Sequence, residues 1–320
     1  MPYVMKKILL SCLAALSIVA VSCTGNNKKK TFERKPFPYV QAPVMMSPED
    51  QLGYLVDHFF DKFTSPERDY PCDTHYVSGV EMLEIEQAAS NYAMLLSQVS
   101  LDKACKAVDA LASRLEACEK ADSTSNVFDT VSVLIEKYLY DPNSPLRDED
   151  IYNAFARHMS QSELVPAARR ESYAEDARLS GMNRRGTKAA DFSFSERSGR
   201  IRTLYGIKAD YTILFFSNPG CEACKEIIDA LNGSEVVCEK IASKELAVLN
   251  IYIDEELAEW YNYMPIYSKS WYNGYDPNMI IRNDELYNVR AIPSLYFLDR
   301  EKRVLFKDVP LERLMNNLPW

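Results

Sequence analysis

The sequence is poor in histidine and has a single Cys-x-x-Cys motif. Its three histidines, His58, His75 and His158, all lie in the first half of the chain, far from the motif at Cys221 and Cys224. A zinc site needs four grouped cysteine, histidine or carboxylate ligands, and the sequence does not supply such a group. We therefore predict no metal and no bound cofactor.

Positive charge is also in short supply. The chain has 37 lysine and arginine residues against 46 aspartate and glutamate residues, so its formal net charge is −9. Non-specific binding to nucleic acid is not expected from such a chain. Internal repeats are missing as well, and 320 residues with 47% hydrophobic content can form two domains with cores of their own.

Long apolar runs are missing too. The uncharged run at residues 8–21 has 14 residues and follows a pair of lysines, which is typical of a signal peptide and too short for a comfortable membrane span. Residues 20–23 resemble a bacterial lipobox. We predict residues 1–23 as a lipoprotein signal peptide in which Cys23 becomes the lipidated first residue. An ordinary cleaved signal with a chance cysteine is the alternative.

A leader of this kind implies export. Residues 24–44 are polar and basic and then contain prolines, which predicts a tether between membrane and folded chain. Disulfides persist outside the cytoplasm unless something reduces them. The basic run at residues 28–30 lacks the acidic character associated with surface export in related bacteria. By that analogy we expect a lipid-anchored protein that faces the periplasm.

Helical spacing of apolar residues dominates residues 45–180. Ser47-Pro48 is typical of a helix start. Further helices are predicted at residues 80–99, 101–121, 127–138, 148–160 and 166–180. The predicted core includes a phenylalanine cluster, namely Phe59, Phe60 and Phe63. These patterns predict an all-α accessory domain over residues 45–180.

Short strands and helices alternate from residue 186 onward. Strands are predicted at residues 191–194, 200–204, 212–217, 246–253, 295–299 and 303–307. Helices are predicted at residues 222–232, 256–263 and 310–318. This order predicts an α/β domain over residues 186–320, with a central mixed sheet flanked by helices.

The Cys-x-x-Cys motif lies between an apolar strand and a helix, and Ile292-Pro293-Ser294 later leads into another apolar strand. This is the pattern of a thioredoxin-like redox domain. Unpaired backbone N–H groups and the helix dipole favour a thiolate at the helix N-terminus, where Cys221 lies. Cys221 is therefore the predicted nucleophile of thiol–disulfide exchange, and Cys224 is the predicted resolving thiol.

Residues 186–320 resemble the TlpA/ResA-like branch of the thioredoxin superfamily, whose members are extracytoplasmic, membrane-tethered thiol–disulfide oxidoreductases. The matching motifs are Gly186-x-x-Ala189-x-Asp191-Phe192, Leu214-Phe215-Phe216, Cys221-x-x-Cys224, Val289-Arg290-Ala291-Ile292-Pro293-Ser294 and Leu298-Asp299. The resemblance implies a cis Pro293, with Ile292 pairing with the substrate chain. It also implies protein disulfide or dithiol substrates and a membrane or periplasmic electron-transfer partner. Residues 45–180 resemble a helical domain of unknown function that precedes such modules in Bacteroides-type lipoproteins.

The sequence departs from thioredoxin at several positions. Phe215 stands where thioredoxin has a buried aspartate, Gly220 replaces the usual tryptophan, and residues 261–284 are extra. These departures affect the reduction potential and the choice of partner more than the type of reaction. Glu222 opposes a thiolate at Cys221 modestly, which favours reduction of substrates over oxidation.

Two other functions stay open. The first is a non-catalytic binding or scaffold lipoprotein in which Cys221 and Cys224 form a structural disulfide. The second is a peroxidase, whose Thr-x-x-Cys setting the chain resembles only loosely. The aromatic residues between 260 and 275 suggest stacking of a carbohydrate or peptide ligand, but packing of an inserted segment against the sheet or the helical domain is favoured.

The remaining cysteines have no clear catalytic role. Cys105 and Cys118 lie 13 positions apart on one predicted helix, which separates them by about 20 Å and prevents a bridge between them. Cys72 could pair with either, and the sequence does not decide this. Cys238, on the helix after the active one, is predicted to be a buried small residue or an unpaired thiol, with a third redox role as the alternative.

Overall fold

Helices make up the first part of the described chain. The computed structural model describes residues 34–65 and 75–320. The helices of the first part are α1 (Pro48–His58), α2 (Met82–Leu96), α3 (Leu101–Ala121), α4 (Val127–Leu139), α5 (Glu149–Met159) and α6 (Ala167–Ser180). A short hairpin of β1 (Tyr76–Val77) and β2 (Val80–Glu81) precedes α2. We call the described residues 34–180 the helical region. The predicted helices of this region are confirmed, and their ends agree with the structure to within three residues.

Polar side chains set the start of two of these helices. The Ser47 hydroxyl accepts a hydrogen bond from the Asp50 N–H at 3.1 Å, with Pro48 as the first helical residue. The Ser100 hydroxyl accepts from the Lys103 N–H at 3.3 Å and begins α3. Each bond satisfies an N–H group that has no partner inside the helix, so both helices start where the sequence predicts.

The predicted phenylalanine cluster lies in the core of the helical region. Phe59, Phe60 and Phe63 are each no more than 5% exposed. The ring of Tyr92, from α2, lies 5.2 Å from that of Phe59 and 5.3 Å from that of Phe60. The prediction that these three phenylalanines are core residues is confirmed.

A mixed sheet forms the second part of the chain, which we call the thioredoxin-like region. Its strands are β3 (Ser193–Glu196), β4 (Ile201–Thr203), β5 (Tyr211–Phe216), β6 (Leu246–Tyr252), β7 (Tyr272–Tyr275), β8 (Ser294–Leu298) and β9 (Val304–Phe306). Its helices are α7 (Glu222–Gly233), α8 (Glu235–Ala242), α9 (Leu257–Tyr263), α10 (Ile280–Asn283) and α11 (Leu311–Met315). The predicted α/β class with a mixed sheet is confirmed.

The sheet has the strand order β4-β3-β7-β6-β5-β8-β9. The central strand β5 runs parallel to β6 and antiparallel to β8. Successive residues of β5 pack on opposite faces, with Ile213 and Phe215 on one side and Leu214 and Phe216 on the other. Both faces are covered, which explains why β5 is apolar along its whole length.

Strand β7 was not predicted. It comes from the aromatic-rich extra segment, pairs in parallel with β6 and antiparallel with β3, and contains Asn273-Gly274. A Cβ atom on Gly274 would lie 2.4 Å from a ring carbon of Phe194. The glycine therefore permits close packing of two strands, although Asn-Gly in a sequence usually indicates a turn.

Residues 34–320 cluster into one compact unit. No helix within the described ranges is long and apolar enough to cross a membrane. The predicted signal peptide, Cys23 and Cys72 lie outside the described residues. The signal peptide, the lipid anchor and the predicted domain bounds therefore stay predictions.

Candidate redox site

The Cys-x-x-Cys motif lies at the end of β5, where the chain turns into α7. The turn includes Gly220 at φ +73°, a left-handed conformation that residues with a Cβ rarely adopt. Cys221 is the N-cap of α7, and its Sγ accepts a hydrogen bond from the Cys224 N–H at 3.2 Å. The predicted placement of this thiol at the helix N-terminus is confirmed.

The two thiols differ in their access to solvent. Cys221 is half-buried, whereas Cys224 is fully buried, and both are free thiols. Burial raises the pKa of the Cys224 thiol, and its hydrogen bond with Cys221 raises that pKa further. Cys224 therefore keeps its proton at neutral pH, and Cys221 is the sulfur that an incoming group can reach.

The segment at residues 290–294, which we call the Ile292 loop, lies beside Cys221. The Ile292–Pro293 peptide bond is cis, as predicted. The Ile292 carbonyl oxygen is 4.0 Å from the Cys221 Sγ. Ser294 pairs with Phe216 in the sheet, and this pairing brings the loop to the motif. The structure thus groups all four predicted redox-site residues.

Four polar side chains form a buried network behind the end of β5. We call Ser217, Asn250, Tyr267 and Asn273 the neutral cluster. The Ser217 hydroxyl donates to the Asn250 Oδ1 at 2.5 Å and lies 3.4 Å from the Tyr267 hydroxyl. The Asn250 Nδ2 donates to the Asn273 Oδ1 at 3.2 Å. Burial raises the pKa of Tyr267 to about 12, so the network carries no charge at neutral pH.

Sequence reasoning missed the neutral cluster. The available signal was Asn250, an amide in the middle of the buried strand Leu246–Tyr252. A buried polar group needs a hydrogen-bonding partner, so this asparagine indicated partners elsewhere. Tyr267 and Asn273 come from the extra segment, and the sequence gives no sign of which residues they reach.

Phe215, which the resemblance matches to the buried aspartate of thioredoxin, lies on β5. The side chain is fully buried and shares one apolar cluster with Cys224. An aromatic ring therefore lies at this position near the resolving thiol.

A groove of about 310 Å³ runs along the Ile292 loop. Leu179 from the helical region lines it, together with Asp254 and Arg282. The Asp254 carboxylate accepts hydrogen bonds from the Asn218 Nδ2 at 2.5 Å and from Arg282 at 2.7 Å. The Ile292 loop and one wall from the helical region thus border one groove.

Residues 20–183 match the model of a family described as a domain of unknown function, DUF5106. The chain belongs to the DUF5106 family. Among solved structures, a thioredoxin-like protein from Bacteroides caccae is 36% identical, with a TM-score of 0.75. The match covers 89% of this chain and all of that one. The helical DUF5106 region followed by a thioredoxin-like region is therefore an arrangement that this chain shares with a solved relative.

Two further solved structures each match less than half of this chain. The C-terminal domain of an uncharacterized protein from Bacteroides fragilis is 48% identical over 43% of this chain and 99% of that one, with a TM-score of 0.42. The thioredoxin domain of a thiol-disulfide oxidoreductase from Bacteroides vulgatus is 17% identical over 42% of this chain and 94% of that one, with a TM-score of 0.37. No curated protein matches the chain.

The remaining described cysteines are distributed over both regions. Cys105 and Cys118 both lie on α3 of the DUF5106 region, as predicted. Cys105 is half-buried, and burial raises its pKa. Cys238 lies on α8 as an exposed free thiol that donates to the Asn232 carbonyl at 3.3 Å. The prediction that Cys238 is buried is wrong, because it faces outward from a short surface helix, and the unpaired alternative is correct.

The aromatic residues of the extra segment mostly pack against the sheet. Trp260, Tyr267 and Trp271 are no more than 7% exposed and share a cluster with Cys224. Tyr261 is 38% exposed. The packing interpretation is therefore confirmed for most of this segment. Within residues 34–65 and 75–320, no three cysteine, histidine or carboxylate side chains are grouped so as to hold a metal ion.

Proposed function

We propose that this protein is an extracytoplasmic, membrane-anchored thiol–disulfide oxidoreductase that exchanges disulfides with protein substrates through Cys221 and Cys224. One observation carries the proposal: a reachable thiol caps a helix, a buried thiol lies one turn further along, and the Ile292 carbonyl stands 4.0 Å from the first sulfur. A structural disulfide needs neither the access nor the neighbouring loop.

The proposed reaction has two steps. The Cys221 thiolate attacks one sulfur of a substrate disulfide, forms a mixed disulfide and releases the other substrate sulfur as a thiolate. Cys224 then gives up its proton and attacks the Cys221 sulfur, which releases the second substrate thiol. Two electrons pass to the substrate, and the protein is left with a Cys221–Cys224 disulfide. A membrane or periplasmic dithiol partner would restore the reduced pair.

The reduction potential of the pair tests this proposal. We expect a value of about −120 to −270 mV, the range of exchange enzymes, after equilibration against glutathione or dithiothreitol and trapping of the thiols. Peptide mass spectrometry would assign the bridge, and a Cys221→Ser variant serves as the control that cannot form it. A pair that stays oxidised below about −300 mV would instead identify a structural disulfide and a scaffold protein.

The anchor is proposed at Cys23. Metabolic labelling with a fatty acid in a bacterial host should mark the wild-type chain, whereas a Cys23→Ser variant should stay unlabelled and leave the membrane fraction. Equal labelling of both chains would refute the lipid site without affecting the redox proposal.

A further inference from the structure

The Ile292 loop is held at both ends by buried side chains. At its start, Arg290 donates from Nε to the Glu149 Oε1 at 2.8 Å and from a terminal nitrogen to the Asp308 Oδ2 at 3.1 Å. At its end, the Ser294 hydroxyl donates to the Asp308 Oδ1 at 2.8 Å. Two carboxylates therefore determine where the loop lies.

One of these carboxylates, that of Glu149, comes from the helical region. Glu149 is the first residue of α5, and its side chain is only 1% exposed. It also accepts from the Asn288 Nδ2 at 2.9 Å and forms an ion pair at 2.8 Å with Lys307, whose side chain is equally buried. We call Glu149, Arg290, Lys307 and Asp308 the charged cluster.

Further contacts from the helical region reach the same groups. The Arg290 guanidinium lies 4.0 Å from the centre of the Tyr140 ring, within the range of a cation–π interaction. Arg147 donates to the Asp308 carbonyl oxygen at 2.8 Å. The Lys307 Nζ donates to the Ser180 carbonyl at the C-terminal end of α6 at 2.7 Å, where the helix dipole favours a cation.

A buried network of this kind leaves little freedom to its members. A charge removed from water must keep its partners, because a lost partner leaves the other charge uncompensated. The guanidinium is planar and forms several hydrogen bonds in fixed directions. Arg290 is two residues from Ile292, so a shift of its guanidinium would move the Ile292 carbonyl relative to Cys221.

We propose that Glu149 is a positioning residue: through Arg290 it holds the Ile292 loop in place for an extended peptide around the substrate disulfide. The helical region thereby becomes part of the redox site. This inference rests on the proposed oxidoreductase function. It concerns capture of a peptide substrate and leaves the intrinsic reactivity of the Cys221 thiol unchanged.

Single-turnover kinetics of the full protein test this inference. The reduced protein would be mixed with a disulfide-linked pair of short peptides, and separately with bis(2-hydroxyethyl) disulfide, which is too small to extend along the loop. For Glu149→Gln we expect the ratio of maximal rate to half-saturation concentration to fall about 10- to 100-fold with the peptide disulfide, as expected for a misplaced binding element. The rate with the small disulfide should be unchanged.

Asp150→Asn is the matched control. Asp150 neighbours Glu149, is equally buried, and binds Arg184 and Arg185 rather than the loop. This variant should fold and should reduce both the peptide disulfide and the small disulfide at the wild-type rates. If Glu149→Gln does not fold, Tyr140→Leu provides a milder change at the same guanidinium, with an expected selective loss of about threefold.

The outcomes separate the two proposals. Selective loss of peptide turnover in Glu149→Gln or Tyr140→Leu, with Asp150→Asn near wild type, supports the positioning role. Equal losses with both substrates, or no loss with either, would overturn it while leaving the oxidoreductase proposal intact. A wild-type protein that reduces neither disulfide would refute the proposed function and this inference together.

Discussion

Two buried polar clusters lie beside the redox pair, and they differ in charge. The charged cluster joins Glu149 of the helical region to Arg290, Lys307 and Asp308, over separations of up to 159 positions. The neutral cluster lies within the thioredoxin-like region behind β5 and consists of hydroxyl and amide groups. The charged side chains fix two distant parts of the chain to each other. The neutral side chains lie on the side of the protonated Cys224.

This difference has an energetic reason. Buried ion pairs cost desolvation, so they give little net stability, yet breaking one is expensive because an unpaired charge remains. Such a cluster penalises misalignment of the two regions. Neutral hydrogen bonds carry a smaller penalty when one is lost, and they place no net charge near the thiol.

The largest effect is expected at Lys307. Lys307→Met removes one of the two buried cations that pair with the Glu149 carboxylate, the other being Arg290, and it removes a donor from the carbonyl groups of Ser180 and Met182. We expect the free energy of unfolding to fall by about 3–5 kcal/mol. Urea unfolding followed by circular dichroism measures this loss as a lower midpoint.

An exposed lysine provides the control for that experiment. Lys106 pairs with Asp102 on the surface of α3, and both side chains are at least 73% exposed. Lys106→Met should cost less than about 1 kcal/mol. Equal losses from the two substitutions would show that the charged cluster is not protected from solvent and does not fix the two regions.

The neutral cluster should respond more weakly. Ser217→Ala removes the donor to the Asn250 Oδ1 in a fully buried site, and the expected loss of unfolding free energy is about 1–3 kcal/mol. Ser243→Ala, at an exposed hydroxyl that donates to the Lys240 carbonyl, should change stability by less than about 0.5 kcal/mol. A loss at Ser217 as large as that at Lys307 would remove the proposed distinction between the clusters.

Local signals explain what could be predicted from the sequence. Helix positions, the cap at Ser47, the placement of Cys221 and the strand that follows Pro293 all depend on residues that are close together in the chain. The resemblance to a known branch added the cis peptide bond at Pro293. These predictions are confirmed because each depends on a short segment and a known pattern.

The charged cluster could not be predicted in the same way. In the sequence, Glu149 is an ordinary acidic residue in the first turn of a helix. Its partner Arg290 lies 141 positions away, so no local pattern connects the two. The run Asp148-Glu149-Asp150 is visible in the sequence, but nothing in it indicates which of the three buried carboxylates binds Arg290. Strand β7 was missed for a related reason: its Asn-Gly pair favours a turn locally, and packing against Phe194 decides otherwise.

The smallest effect concerns pH and the Cys224 thiol. In the unfolded chain this thiol has a pKa of about 8.5, whereas burial and Cys221 raise it in the folded protein. Above about pH 8.5 the unfolded chain releases a proton that the folded chain keeps, so the free energy of unfolding falls as pH rises. Between pH 9 and pH 10 the reduced protein should lose about 1 kcal/mol from this group.

A Cys224→Ala variant isolates that loss, since it retains Cys221 and every other titrating group. We expect its unfolding free energy, measured in urea at pH 9 and pH 10, to decline less steeply than that of the reduced wild type. The oxidised wild type should lack the same contribution, because its Cys224 has no proton to release. Parallel declines in reduced wild type and variant would mean that Cys224 ionises as easily in the folded protein as in the unfolded chain. The neutral surroundings of the resolving thiol would then have no effect on its proton, and the contrast between the two clusters would apply to stability alone.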